Sequence, residues 1–296
     1  MIDFEYTAPT QLDEAIKQLA AAGERAQVLA GGTDIIVQLR EGHRSAELVV
    51  DVKKIPELTQ FEYSDGEDLQ LGASVTCQQI YDDPQVAAAF PALTDAVRII
   101  GGWQIQSRAS VGGNLCNSSP AADSIAPLIA YNAVAHIAGP NGCRTVPVVE
   151  FCTAPGRNIL EPGELLVTLT LPRQGPSNGS AYQRFIPRNE MDIAVAGAAS
   201  WVQLDDSGNQ IKDARIVLSA VAPVPVVAEE ASRWLIGKAA NDANFAEAGE
   251  LAKRVASPID DMRGTAEYRT HLVGVLTKRT LLTACERAQK GSSAVL

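Results

Sequence analysis

The stretch that decides the reading is Ala109-Ser110-Val111-Gly112-Gly113-Asn114-Leu115-Cys116-Asn117-Ser118-Ser119-Pro120-Ala121-Ala122-Asp123-Ser124. Small residues surround a Gly-Gly pair, followed by an Asn, a Ser-Ser-Pro turn and a buried-looking Asp. Gly112 and Gly113 carry no Cβ, so their backbone N–H groups can approach a ligand closely. Asn114, Asn117, Ser118 and Ser119 add short donors and acceptors. No Lys or Arg falls in the stretch, so a phosphate held here would be held by backbone dipoles. Taken alone, the stretch also reads as an ordinary loop between two elements.

A second stretch is Val28-Leu29-Ala30-Gly31-Gly32-Thr33-Asp34-Ile35-Ile36. Ala26–Ala30 reads as a short buried strand, and Ile35, Ile36 and Leu39 fall on one face of a helix ending near Gly42. Gly31-Gly32-Thr33 therefore sits at a strand-to-helix junction, where free N–H groups and the helix dipole favour an anion. The three spaced glycines of the dinucleotide fingerprint are missing, and no Lys follows the glycines as in a P-loop. Paired with the first stretch, the segment predicts one extended ligand carrying a pyrophosphate.

A chain of 296 residues accommodates two domains or three subdomains, and 46% hydrophobic residues suffice for a sizeable core. The net charge of −10 argues against nucleic acid or an anionic membrane as the main partner. No apolar run is long enough to span a bilayer, and Met1-Ile2-Asp3-Phe4 lacks the pattern of a leader, so a cytoplasmic protein is expected. The five cysteines include no Cys-x-x-Cys. They read as reduced thiols rather than as a disulfide framework or a zinc site.

Along the chain, Gln11–Ala22 has helical spacing with Thr10 as N-cap. Leu48–Val52 reads as a strand. Leu58–Tyr63 and Leu69–Ala73 flank the turn Ser64-Asp65-Gly66-Glu67 as a hairpin. Pro84–Ile100 reads as helix broken at Pro91, and Trp103 as a packing residue. Further on come a helix at Ile125–Tyr131, a hairpin of Ala133–Ala138 and Arg144–Val148, and a strand at Glu164–Leu171. Gln174–Ser180 is the best linker. Beyond it, Ala181–Ile186, Ala194–Leu204 and Ile211–Ala220 read as three strands. Helices are expected at Val226–Ile236, Asn244–Ala256 and Thr265–Arg287.

Together these segments resemble the FAD-binding medium subunit of the molybdenum hydroxylases, the carbon monoxide dehydrogenase and xanthine dehydrogenase type. The resemblance is carried by Ala30-Gly31-Gly32-Thr33-Asp34, Ala109-Ser110-Val111-Gly112-Gly113-Asn114 and Ser119-Pro120-Ala121-Ala122-Asp123. Gly163-Glu164-Leu165-Leu166, Arg188-Asn189-Glu190-Met191-Asp192-Ile193-Ala194 and Ala266-Glu267-Tyr268-Arg269 support it. It implies an α+β chain: a FAD-binding domain of the vanillyl-alcohol oxidase (PCMH) type over residues 1–174, in two α/β subdomains of about 1–55 and 56–174. A smaller α+β flavoprotein domain with a three-stranded antiparallel sheet and helices would follow over residues 180–290.

The resemblance also places FAD on residues. Leu29, Ala30, Gly31, Gly32, Thr33, Asp34 and Ile35 match the family's first flavin loop, and Ser110, Val111, Gly112, Gly113 and Asn114 match its second. Asp123 matches a FAD contact, there accepting from a sugar hydroxyl because a carboxylate beside a pyrophosphate is repelled. Ile100 matches a position packed on the cofactor, and Leu166 (or Leu165) one lining the ring pocket. Arg184 matches a position that is often Lys in eukaryotic relatives, and Arg alters the geometry of that contact. Gly101–Gln106 and the Met191–Ile193 turn are candidates to border the flavin ring, or else plain core. Some flavoproteins of this fold attach FAD to a loop His, whereas this loop has Thr33, so non-covalent FAD is implied. The Cys-rich insert of one branch is absent, so no iron–sulfur cluster is expected in this chain.

The implied role is electron transfer. A large molybdenum-cofactor subunit would oxidise substrate, and a small [2Fe–2S] subunit would pass electrons to FAD here. NAD or a quinone would take them, in a dimer of heterotrimers. No catalytic acid or base is then required of this chain. The alternatives are a free-standing FAD oxidoreductase of the same fold, which needs its own acid or base beside the ring, and a scaffold subunit that has lost flavin.

Overall fold

The computed structural model describes residues 3–290. The chain begins with β1 (Glu5–Thr7), α1 (Leu12–Ala22), β2 (Ala26–Leu29), α2 (Ile35–Glu41) and β3 (Leu48–Asp51). The three strands form a parallel sheet in the order β1-β3-β2. α1 buries Ala15, Ile16 and Leu19 on it, the spacing of one helical face. Its N-cap position is Gln11 rather than Thr10, and no side chain caps it. β2 is an edge strand, and so it is only half-buried where a fully buried strand was expected. In α2 only Leu39 of the expected apolar face is buried, while Ile36 points outward.

The second unit contains α3 (Pro56–Thr59), β4 (Phe61–Glu62), β5 (Leu69–Gly72), α4 (Cys77–Asp82), α5 (Pro84–Ala89) and α6 (Pro91–Val97). It continues through α7 (Val111–Asn117), α8 (Ile125–Ala130), β6 (Val134–Gly139), β7 (Gly142–Pro147), β8 (Cys152–Ala154), β9 (Arg157–Asn158) and β10 (Leu165–Leu171). Strands β4-β5-β10-β6-β7 form one sheet in that order, and β10 runs antiparallel to both β5 and β6. The helices cover it around a core that includes Leu71, Phe90, Leu93, Leu115 and Leu169. The first half of the deciding stretch is helix rather than loop. Ser110 caps α7 by accepting from Gly113 N at 3.1 Å. Glycines are poor helix formers by themselves, but Gly112 is needed for close packing on Ala73.

The C-terminal unit is built on β11 (Asn178–Phe185), β12 (Ala196–Leu204), β13 (Ile211–Ser219) and β14 (Val226–Val227), joined antiparallel in that order. The three expected strands gain a fourth. Val226 and Val227 pair with β13 instead of opening a helix, as β-branched residues just after Pro225 favour. Helix α9 (Glu229–Leu235) starts after them, followed by α10 (Asp242–Ala252) and α11 (Ala266–Lys290). α11 packs along β11 and β12 and buries Leu272, Leu276, Leu281 and Ala284.

A polar clamp fastens this unit to the second. Arg287 on α11 donates to both Asp95 oxygens at 2.7 and 2.9 Å and to Ser180 O at 2.7 Å. Replacing Arg287 with Met is expected to lower stability by about 1–2 kcal/mol, because the pair is half-buried and bidentate. Limited proteolysis near residues 174–177 checks this, since a loosened C-terminal unit exposes that connection.

Candidate FAD site

A cleft of about 490 Å³ opens between the first two units, within the range of cofactor sites. Ala26, Gln27 and Val28 of β2 line it, as do Ala30 and the turn Gly31–Asp34 that follow the strand. The turn is fixed from behind. Lys53 Nζ donates to Ala30 O at 3.0 Å and to Asp51 at 2.8 Å, and Tyr6 holds the other Asp51 oxygen at 2.7 Å. Gly32 adopts φ +80°, which costs little only without a Cβ. Among the described residues, the N–H groups of Gly31, Gly32, Thr33 and Asp34 have no acceptor in the chain. Successive unpaired amides around a left-handed residue form an anion nest.

The opposite wall comes from Ser110, Gly112, Gly113 and Asn114. An alanine Cβ at Gly31 would lie 2.1 Å from Arg108 O, and one at Gly112 would lie 2.4 Å from Ala73 O. Both glycines are therefore required where backbone packs on backbone, and this packing brings the two segments to one cleft. Asn114 Oδ1 accepts from Ser124 N at 3.2 Å and Ser124 Oγ at 2.6 Å. That leaves its Nδ2 as the free, orientated donor. Asn117 bridges the walls, donating to Asp34 Oδ1 at 3.3 Å and accepting from Gln38 Nε2 at 3.1 Å.

Ile35, Ile100, Leu165 and Leu166 supply apolar surface to the cleft. Leu29 and Val111 do not line it: each packs into core beside its loop. Asp123 and Arg184 also lie outside the lining, buried at 4% exposure for Asp123, and neither is the solvated charge that a lone surface residue would be. Arg184 Nη1 meets Asp123 Oδ2 at 2.5 Å, Tyr182 donates to Oδ1 at 2.9 Å, and Arg184 Nη2 donates to Ile99 O at 2.7 Å. The network thus braces the turn that presents Ile100. Burial pushes the Asp123 carboxyl up to about 6, against the opposing pull of Arg184 and then Tyr182.

Trp103 is 74% exposed, not the packing residue expected, because the turn carrying it projects from the core. Met191 N donates to Gly101 O at 3.0 Å, so the Met191–Ile193 turn does sit against Gly101. Cys116 lines the cleft as a neutral thiol, pushed up to about 12 by burial.

Ser74 is one of the lining residues that sequence reasoning missed, since a single Ser after a strand carries no signal. Its Oγ is buried and has no partner among the described residues. An orphan hydroxyl beside unpaired loop amides fits a bound polar cofactor. Ser74→Ala is expected to leave the apo protein as stable or up to about 1 kcal/mol more stable. It should weaken FAD roughly fivefold, a change of about 1 kcal/mol. Thermal melts with and without FAD check the opposite signs.

A two-unit α/β fold with a glycine turn and a glycine-containing helix start on one cleft, followed by a strand-then-helix unit, defines a flavin-binding class. The chain belongs to the FAD-binding subunits of the molybdopterin dehydrogenases, the oxidoreductases also called molybdenum hydroxylases. Residues 2–174 match the family model for the FAD binding domain in molybdopterin dehydrogenase, and residues 181–284 that for the CO dehydrogenase flavoprotein C-terminal domain. The xanthine dehydrogenase FAD-binding subunit of Escherichia coli O157:H7 is 32% identical over 97% of this chain and 98% of its own. The carbon monoxide dehydrogenase medium chain of Hydrogenophaga pseudoflava is 33% identical over 96% and 98%. A solved structure of the Hydrogenophaga carbon monoxide dehydrogenase superposes with a TM-score of 0.91, at 32% identity over 97% of this chain and 99% of that one. Quinoline 2-oxidoreductase of Pseudomonas putida 86 gives 0.89 at 29% identity, over 97% and 98%. Among the described residues no helix is long and apolar enough to cross a membrane.

Proposed function

We propose that the chain holds FAD non-covalently in this cleft and passes electrons from [2Fe–2S] clusters of a small partner subunit to an external acceptor, NAD or a quinone. A large subunit carrying the molybdenum cofactor oxidises the substrate, and the assembly is a cytoplasmic dimer of heterotrimers. The observation that carries the reading is the row of unpaired amides at Gly31–Asp34 facing Ser110–Asn114 across one cleft. Those amides hold the pyrophosphate through backbone dipoles, and Asn114 Nδ2 adds a directed donor. Ile100 and Leu166 pack on a ring. Asp123 and Arg184, which the family resemblance implies as FAD contacts with Asp123 on a sugar hydroxyl, serve the cofactor indirectly here, from behind the cleft, by bracing the turn that presents Ile100. Thr33 stands where a covalent attachment would need His. FAD supplies the redox chemistry when bound, while this chain binds and orientates it.

The test is the absorption spectrum of the protein purified with its natural partners, followed by acid precipitation. Flavin released into the supernatant, with iron–sulfur absorbance and molybdenum by elemental analysis, is the expected result. Flavin without metals on a chain that turns over alone would indicate a free-standing oxidoreductase. No flavin even after FAD addition would leave a scaffold.

A further inference from the structure

A second cavity of about 280 Å³ shares no lining residue with the FAD cleft. Three of the segments that carried the family resemblance meet around it: Ser119-Pro120-Ala121, Ile193-Ala194 and Arg269. Binding FAD in the first cleft makes no use of these residues. Two short stretches of chain link the two cavities. Ser119 lies two residues beyond Asn117 of the cleft, and Ile193 ends the turn hydrogen-bonded to Gly101, the neighbour of Ile100.

The lining is mostly apolar, with Pro120, Pro155, Pro223 and Pro258 as rigid walls. Ile193 and Ile259 stand at 51% and 70% exposure, so the mouth has an apolar lip. Arg269 is the one cation among the described lining residues; its two terminal nitrogens are already engaged, and its buried Nε has no partner among the described residues. The terminal nitrogens donate to Val195 O at 2.8 Å, to Ala220 O at 3.3 Å and to Asp261 Oδ1 at 2.6 Å. A dinucleotide would find no free positive charge for its phosphates and would meet Asp261 instead. A neutral ring matches the walls, and the Ser119 and Ser257 hydroxyls can donate to ring carbonyls.

We propose that this cavity is the docking site for the external acceptor, and that the acceptor is a neutral quinone rather than a nicotinamide dinucleotide. The proposal rests on the FAD reading for its use, but the binding of the ring is a property of this cavity alone. A quinone docked there becomes the hydroquinone by taking two electrons and two protons, which flavin reduced by the partner's clusters supplies when bound.

The experiment uses the full chain loaded with FAD, with duroquinone as the probe. Calorimetry measures duroquinone binding, and stopped-flow measures reoxidation of the reduced protein by duroquinone, ferricyanide and NAD in turn. Ala222→Trp fills the cavity from within, and Ser257→Trp covers it from an exposed position should the first variant fold poorly. Either is expected to weaken duroquinone binding and slow its reduction about tenfold or more, because the ring loses its buried apolar contact. FAD content and ferricyanide reoxidation stay at the parent level. Equal duroquinone binding in parent and variants overturns the proposal, as does fast reoxidation by NAD that the variants abolish. A chain that binds duroquinone in this cavity yet retains no FAD supports the docking site and sinks the flavin reading instead.

Discussion

Gly112→Ala is expected to strip the protein of FAD and lower its melting temperature by roughly 5–10 °C, as a packing clash of about 2–3 kcal/mol predicts for a domain of this size. The new Cβ would lie 2.4 Å from Ala73 O and 2.5 Å from Ala73 Cα. Both are backbone atoms of the segment leaving β5, so no side chain can swing away. α7 must lift off the sheet, and with it go Gly113 and Asn114, which form one wall of the cleft. Gly31→Ala should behave alike, since its Cβ meets Arg108 O at 2.1 Å. Gly113→Ala is the graded control. Its nearest neighbour is only the Ser110 hydroxyl at 3.0 Å, so it should cost under about 1 kcal/mol of stability. Melting curves and released flavin, measured on all three, check the order. Equal losses from Gly112→Ala and Gly113→Ala would mean that backbone contact is not what these glycines serve.

Arg184→Met is expected to destabilise the chain by about 3–5 kcal/mol, the usual cost of leaving one member of a buried ion pair without the other. Asp123 would keep only Tyr182 as a donor, and Ile99 O would lose its guanidinium. The pair also sets a pH dependence of defined sign. Asp123 carries a folded-state value of about 6, above the roughly 3.9 of an unfolded Asp. Between those values the folded chain keeps a proton that the unfolded chain has released. The contribution of this group to stability is therefore full below about pH 4, falls as pH rises towards 6, and is flat above. Asp123→Asn removes that slope while its amide oxygen still accepts from Tyr182. The difference in melting temperature between the parent and Asp123→Asn, followed from pH 4 to 7, should change only in that window. A constant difference would place the carboxylate in an environment more polar than its burial indicates. Arg184→Met should carry the window to higher pH, because the pull that opposes burial is gone.

Much of the site was legible in the linear order of residues. The strand-to-helix turn at Gly31–Asp34, the second glycine pair at Gly112–Gly113 and the apolar Ile100 and Leu166 all face one cleft. The two glycine pairs are local signals, a turn that needs positive φ and a capped helix start, whereas Ile100 and Leu166 are placed only by the family resemblance. Within that frame the sequence also misled. Val111–Asn117 reads as loop by propensity, since two glycines weaken a helix. It folds as helix because Gly112 is repaid by backbone contact with Ala73 and Gly113 N is satisfied by the Ser110 cap. Val226 and Val227 read as the start of a helix, yet β13 offers a free edge and takes them as a strand.

The sequence by itself determined the strand-to-helix glycine turn at Gly31–Gly32 and the absence of any basic phosphate clamp between Ala109 and Ser124. It did so because turn geometry and side-chain periodicity are set by near neighbours along the chain. Only the tertiary structure decided what those residues touch. It put Asp123 and Arg184 against each other, 61 positions apart, behind the cleft rather than in it. It left the Ser74 hydroxyl on the cleft wall with no partner among the described residues. It also gathered Ser119, Ile193 and Arg269 around a second cavity. Burial and the pairing of charges depend on which distant segments meet, and that is fixed by packing of whole units rather than by any window of sequence.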